Sequence, residues 1–145
     1  MDISDYLSAE EVMRVEAKLR AVEQLTSAEI KVALTRSSWM GIGNKAAKLF
    51  RRYGLDVTEK RNGVLILVDV KNHELLIYGD RGINENVAEN FWNAIRDAMI
   101  CELREGRLAA ALLTGIHQIG DALSTLFPAE AGDIDEISNE LLLVR

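Results

Sequence analysis

The stretch Gly79-Asp80-Arg81-Gly82-Ile83-Asn84 contains the residue types best suited to bind an ion. It leaves a predicted strand and opens a predicted helix with Asn84 as its N-cap, and the N–H groups at a helix start attract anions. The oxygens of Asp80 and Asn84 suit a hard cation such as calcium or magnesium. The alternative is a glycine-rich turn with a capping residue and a surface ion pair, because no complete ligand spacing such as an EF-hand loop is present.

Asp69 is a second candidate oxygen ligand, at the carboxyl end of the predicted central strand. A tight turn at 71–74 sends the next strand back, so about 10 Å of strand separates Asp69 from Asp80. Asp80 should instead lie beside Arg61 and Asn62, with the arginines forming an anion clamp. The predicted site consists of Asp80, Asn84, Arg61, Asn62 and Arg81, and Asp69 is the less favoured metal ligand.

The histidines and the cysteine do not form a recognisable catalytic set. Nucleophilic catalysis requires a base within reach of a serine or cysteine. His117 lies opposite the apolar stripe of its predicted helix and should face solvent, and His73 lies in an exposed turn. Cys101 flanks an apolar helix face and is predicted to be a buried, inert thiol. These residues predict neither a catalytic triad nor a zinc site.

One basic surface stands out on this acidic chain. Lys45, Lys48 and Arg52 share one face of a predicted helix, and Lys60 and Arg61 follow shortly after. The surface is either a solvated helix face or a site for an anionic ligand or partner. The preceding loop contains Gly-x-Gly but lacks the third glycine of a dinucleotide-binding turn and the Gly-Lys-Ser/Thr of a phosphate loop. The loop is therefore predicted to be a plain connection.

The pattern of apolar residues predicts the elements that must position these side chains. A crossover through a helix makes the first two strands parallel, and a tight turn makes the third strand antiparallel to the second. The run Val64–Val68 has no alternation, which predicts a central strand covered on both faces. The fold class is therefore α/β, with a small mixed sheet sandwiched by helices. The predicted helices are 8–26, 44–53, 84–102 and 105–126, and the strands are 29–35, 63–69 and 74–79.

Composition limits the class of protein. The net charge of −6 argues against a nucleic-acid partner. No apolar run is long enough to span a membrane, and the first residues do not resemble a secretion signal. A single cysteine cannot form an internal disulfide. These features predict a cytoplasmic protein.

The chain is predicted to form one domain over 1–128, followed by an acidic tail over 129–145. The boundary falls at Pro128, which discourages the preceding helix from continuing. The tail ends in the apolar run Leu141–Val144, for which an extra edge strand, a hook for a partner and an unstructured end all remain open. Because the core pattern is complete by Phe127, the tail is predicted to be dispensable for folding.

Ordered blocks of sequence resemble the TPM domain family, which is known from thylakoid-lumen photosystem repair proteins and bacterial relatives. The resemblance covers about Ser27 to Pro128, and no single block is diagnostic on its own. The blocks are Glu29-Ile30-Lys31-Val32, Arg61-Asn62-Gly63-Val64, Gly79-Asp80-Arg81-Gly82-Ile83-Asn84, Trp92 and Met99, Gly106, Gly115-Ile116, Ile119-Gly120, and Phe127-Pro128.

This resemblance implies a three-layer, Rossmann-like α/β/α sandwich. Plant members of the family are described as acid phosphatases, divalent cations are associated with the fold, and other members act in assembly of membrane complexes. Because the sequence shows no acid/base pair, no placed histidine and no complete cofactor loop, we expect an interaction or accessory module with a protein partner. The alternative is a divalent-metal-assisted acid phosphatase of low specificity, a role that the resemblance alone implies.

Overall fold

The computed structural model of the chain describes residues 2–130 and 138–144. A short 3-10 turn over Ile3–Asp5 precedes a mixed succession of helices and strands. The helices are α1 (Ala9–Glu23), α2 (Ile42–Arg52), α3 (Arg81–Asn84), α4 (Phe91–Arg104) and α5 (Leu108–Leu126), and the strands are β1 (Glu29–Thr35), β2 (Gly63–Asp69), β3 (Glu74–Gly79) and β4 (Leu142–Val144).

The sheet has the strand order β3-β2-β1-β4. β1 pairs in parallel with β2, and β2 pairs antiparallel with β3, so the predicted topology is confirmed. Every residue of β2 is buried, as its uninterrupted apolar run predicts for a central strand. Because β1 and β2 run in the same direction, Thr35 and Asp69 lie side by side at the carboxyl ends of these two strands.

Helices cover both faces of the sheet, which confirms the three-layer α/β/α architecture. The larger core cluster joins α1, α4 and α5 to one face, and the smaller cluster joins α2 to the other. Ser8 is the N-cap of α1, and its side chain accepts a hydrogen bond from Glu11 N at 3.1 Å in a capping box. Among the described residues, no helix has both the length and the apolar character needed to cross a membrane.

The predicted helix over 84–102 is wrong at its start. Asp80, not Asn84, is the N-cap, and it begins the four-residue helix α3. The chain then turns before α4 begins at Phe91. Asp80 caps the helix because its carboxylate accepts a hydrogen bond from Arg81 N at 2.8 Å.

The end of the tail joins the sheet, so the edge-strand interpretation of Leu141–Val144 is confirmed. β4 pairs in parallel with Ala33–Thr35 of β1. Leu141 is only 4% exposed and belongs to the larger core cluster. The expectation that the core is complete by Phe127 is corrected, because one of its side chains comes from the tail. Residues 131–137 and Arg145 of the predicted tail lie outside the described residues.

Truncation after Pro128 should therefore destabilise the protein, in contrast to the expectation from sequence. Loss of the buried Leu141 and of three strand pairs should lower the free energy of unfolding by about 2 kcal/mol. For a chain of this length, the melting temperature should fall by about 4–8 °C. Thermal melts of the full chain and the truncated chain, followed by circular dichroism, measure this difference, and equal melting temperatures would contradict it.

Candidate functional site

Asp80 is bound tightly within the protein. Arg61 Nε donates to Asp80 Oδ2 at 2.7 Å, and Arg61 Nη2 donates to Oδ1 at 3.1 Å. Oδ1 also accepts the capping hydrogen bond from Arg81 N. Asp80 is only 6% exposed. The structure confirms that Asp80 and Arg61 lie together, but each group already satisfies the other, which is the pattern of a structural ion pair.

The amide of Asn84 is also engaged within the protein. Its Nδ2 donates to Gly79 O at 2.9 Å, and its Oδ1 accepts from Trp92 Nε1 at 2.8 Å. Asn62 is buried and donates to Ser27 Oγ at 3.3 Å, whereas Arg81 is exposed. The structure therefore brings Arg61, Asp80 and the N–H of Arg81 together, whereas Asn62 and Asn84 bond to residues outside the predicted set.

The glycines of this segment are explained by close packing. A Cβ at Gly79 would lie 2.4 Å from the Trp92 ring, and a Cβ at Gly82 would lie 2.4 Å from Lys60 O and 2.5 Å from Arg61 O. Gly82 N also donates to Arg61 O at 2.9 Å. The start of α3 is thus clamped directly onto the loop at 60–61. These contacts favour the structural alternative for the Gly79–Asn84 segment.

Asp69 lies at the opposite end of the hairpin from Asp80, as predicted, because it pairs with Glu74 while Gly79 pairs with Val64. It is fully buried. Its Oδ1 accepts from Lys71 N and Asn72 N at 3.1 and 3.0 Å, and its Oδ2 accepts from Asn72 Nδ2 and Ser38 Oγ at 2.9 and 2.7 Å.

These four hydrogen bonds decide the charge of Asp69. Burial alone would raise the pKa of the Asp69 carboxyl group, but the hydrogen bonds from Asn72, Ser38 and Lys71 outweigh burial and lower the pKa below its usual value. Asp69 therefore stays ionised and holds the β2–β3 turn against the loop that follows β1.

Replacing Asp69 with Asn should cost stability in a pH-dependent way. At pH 7 the free energy of unfolding of the variant should be about 1–2 kcal/mol lower than that of the wild type. The new amide nitrogen would face one of the donors that now bond to the carboxylate, and two donors cannot bond to each other. The lowered pKa of Asp69 makes its charge stabilising above the unfolded-state pKa of about 3.9, and this contribution disappears as the pH falls through the lower folded-state value. Urea denaturation of both proteins at pH 7 and pH 3 should show the difference shrinking in acid; a constant difference would contradict the assignment.

A cleft of about 400 Å³ opens beside this edge of the sheet, between the β1–α2 loop and α2. Lys45, Lys48 and Arg52 line it on the α2 side, so the predicted basic helix face forms a wall of the cleft. Trp39 and Met40 line it on the loop side and are 87% and 60% exposed. Within the described chain, no acidic residue lines the cleft.

Lys45 connects the cleft to the sheet. Its Nζ donates to Thr35 Oγ1 at 2.7 Å and also to Ser37 O. Burial lowers the pKa of Lys45, while the nearby charge of Asp69 acts in the opposite direction. The ammonium group of Lys45 is therefore held by the end of β1 and the loop that follows it, whereas Lys48 and Arg52 are exposed.

The two histidines and the single cysteine all lie at the protein surface. His73 and His117 are exposed, as predicted, and His117 Nδ1 lies 3.0 Å from Lys18 Nζ. The prediction that Cys101 is buried is wrong, because the inward positions of α4 are Met99 and Leu103, and Cys101 lies about 200° around the helix from Met99. In the part of the chain that the structure describes, no group of three or more His, Cys, Asp or Glu side chains could hold a metal ion.

Sequence reasoning missed the two exposed apolar residues of the cleft. Trp39 and Met40 lie in the connection that was predicted to be plain, and they precede the basic face of α2. The sequence itself indicates that they are exposed, because two large apolar side chains in a loop between a strand and a helix fall outside the apolar pattern of either element. Only the structure shows that they share a cleft with the basic residues.

Comparison with known proteins agrees with this fold. The chain matches the model of the TPM domain over residues 1–122. Its structure is similar to that of the BA42 protein from the psychrophilic bacterium Bizionia argentinensis, with 36% identity, 96% of each chain covered and a TM-score of 0.89. The N-terminal domain of cg2496 from Corynebacterium glutamicum shares the fold at 14% identity, with 92% of this chain and 83% of that one covered and a TM-score of 0.66. No curated protein sequence matches the chain. The chain therefore belongs to the TPM domain family.

Proposed function

We propose that this TPM domain is an interaction module that binds an acidic, partly apolar peptide segment of a partner protein in the cleft between the β1–α2 loop and α2. The proposal rests on the exposure of Trp39: its side chain is 87% exposed and shares the cleft with three cationic side chains. Tryptophan and arginine are the residues most often found as energetic hot spots of protein interfaces. At 87% exposure, Trp39 gains little stabilisation from burial within its own domain.

The two sides of the cleft specify the chemistry of the partner. Trp39 and Met40 offer an apolar surface, and methionine adapts readily to different partner shapes. Lys45, Lys48 and Arg52 offer positive charge on a chain whose net charge is −6. Charge complementarity raises the association rate for acidic partners and disfavours basic ones. A segment in which acidic and apolar residues alternate would satisfy both sides.

The state of the other candidate residues also supports a binding role. Arg61 and the N–H of Arg81 occupy Asp80, and four protein donors occupy Asp69. Binding a cation through either carboxylate would require these hydrogen bonds to break. In the cleft, by contrast, Trp39, Met40, Lys48 and Arg52 are exposed, and of the cationic side chains described there only Lys45 is held by hydrogen bonds within the protein.

A fluorescence anisotropy titration tests the proposal. The probe is a labelled ten-residue peptide of alternating Glu and Leu, compared with a matched peptide of alternating Lys and Leu. We expect binding of the acidic peptide alone. Trp39→Ala and the double variant Lys48→Glu, Arg52→Glu should each weaken it at least about tenfold, which corresponds to about 1.4 kcal/mol. The charge-reversal effect should diminish as salt concentration rises.

Met13→Ala provides the matched control, because Met13 is also a highly exposed apolar residue, at 69%, but lies on α1. This variant should bind the acidic peptide as the wild type does. Equal affinity for both peptides, or binding that is insensitive to Trp39→Ala, would refute the proposed function.

A further inference from the structure

The C-terminal segment 138–144 contacts β1 as a bound peptide would. Lys31 Nζ donates to Ser138 O at 3.2 Å and to Glu140 O at 2.7 Å, and Glu16 Oε2 accepts from Leu141 N at 2.9 Å. All three contacts are made to main-chain groups of the segment. β4 then adds to the edge of β1 through main-chain pairing. Recognition through the main chain at a sheet edge is the mode by which proteins bind extended peptides.

The side chains of the segment fit two separate apolar sites. Leu141 is buried in the larger core cluster, and the partly buried Leu143 packs against that same cluster. Val144 packs on the opposite face, against the smaller cluster that includes Ala33 and Leu65. The edge of β1 therefore selects an extended segment with apolar residues at these positions, which combines with the main-chain contacts to define a binding groove.

Lys31 shows that this groove is built around its occupant. The residue is only 3% exposed, and its ammonium group also lies 5.3 Å from the centre of the Tyr53 ring. Burial of a lysine is costly unless its donors are satisfied. Two of those donors are satisfied by carbonyl oxygens of the C-terminal segment.

The groove and its occupant are separate parts of the chain. β4 has only three residue pairs with β1, and in the sequence seven residues, 131–137, separate the described segment 138–144 from Glu130. Segments with few pairings open with lower free energy than the core of a domain. An identical segment from a second copy would make the same contacts, which is the basis of strand exchange between protomers.

We propose that the edge of β1 is a strand-binding groove that the chain's own segment 138–144 occupies in cis, and that the same segment of a second copy binds there in trans when the cis segment is released. This inference does not depend on the cleft at α2. It assigns to the apolar end of the tail the role of an intramolecular ligand that competes with an identical segment.

The test uses the full chain and a fluorescent peptide with the sequence of residues 138–145, Ser-Asn-Glu-Leu-Leu-Leu-Val-Arg. In the wild type, the cis segment occupies the groove, and apparent affinity for the peptide is reduced by the small open fraction. Leu141→Ala in the chain weakens the binding of the cis segment to the groove but leaves the groove itself unchanged. The variant chain should therefore bind the wild-type peptide at least about tenfold more tightly than the wild-type chain does. A peptide carrying the same Leu141→Ala change should not bind measurably.

Two further variants make the result specific. In the Leu141→Ala chain, adding Lys31→Met should abolish peptide binding, whereas adding Trp39→Ala should leave it unchanged. If circular dichroism shows that Leu141→Ala is unfolded, Leu143→Ala takes its place, and it too should bind the wild-type peptide at least about tenfold more tightly than the wild-type chain. A folded variant that binds the peptide no better than the wild type, or equal binding of both peptides, would overturn the inference.

Discussion

Asp80→Ala should lower the free energy of unfolding by at least about 1 kcal/mol. The change removes the cap of α3, which contributes about 1 kcal/mol. It also leaves Arg61 without its carboxylate partner, but the Arg61 side chain is 35% exposed, so water compensates part of that loss. Urea denaturation followed by circular dichroism measures the loss.

Asp80→Asn separates the two contributions. An asparagine retains an oxygen that can cap α3 but carries no charge for Arg61. Its loss of stability should therefore fall between that of Asp80→Ala and the wild type. If Asp80→Ala unfolds at the same urea concentration as the wild type, the structural role assigned to Asp80 is wrong.

The same residue also decides the remaining prediction from sequence, that any cation or phosphate effect depends on Asp80 rather than Asp69. The test compares the wild type with Asp80→Ala and Asp69→Ala. Calorimetry measures the binding of calcium and magnesium, and hydrolysis of p-nitrophenyl phosphate measures phosphomonoesterase activity. Asp80→Ala should abolish any specific effect, whereas Asp69→Ala should leave it largely intact. The reverse pattern would overturn the ranking of the two carboxylates.

Gly82→Ala should destabilise the protein by about 3 kcal/mol, at the upper end of the usual cost of overpacking. The new methyl group would lie 2.4 and 2.5 Å from the carbonyl oxygens of Lys60 and Arg61. These are main-chain atoms, and Arg61 already holds a left-handed φ of 51°, so the loop cannot relax by moving a side chain. Thermal and urea denaturation should both show the effect.

Gly43→Ala is the matched control for Gly82→Ala. Gly43 lies within α2, and nothing would come within 4 Å of its new methyl group. Because alanine favours the helix over glycine, this variant should be unchanged or more stable by up to about 1 kcal/mol. Similar destabilisation of both variants would mean that the contact at 60–61 does not explain Gly82.

The sheet could be predicted from sequence because local patterns determine it. The uninterrupted apolar run of β2 indicates a strand buried on both faces, and the short connection to β3 permits only a hairpin. The capping box at Ser8 likewise predicts the start of α1. In each case the signal lies within a few residues of the element that it specifies.

The predictions differ from the structure where side-chain contacts, rather than the apolar pattern, decide the outcome. Asn84 looks like an N-cap, but its amide is used by Trp92 and Gly79, so Asp80 takes the capping position. The apolar run Leu141–Val144 left an edge strand, a partner contact and an unstructured end open, and only the pairing with β1 and the burial of Leu141 decide between them. The apolar pattern specifies neither contact, because Asn84 bonds to Gly79 and Trp92 through polar atoms and Leu141 reaches its site only through the sheet.

The central claim, that the cleft at α2 is the binding surface, is tested most directly by mapping amide chemical shifts on the isotope-labelled full chain. Titration with the alternating Glu and Leu peptide should shift the amides of residues 37–52, and Trp39→Ala should remove these shifts. Shifts centred on residues 79–86, with the cleft unaffected, would contradict the account and return the site to the start of α3.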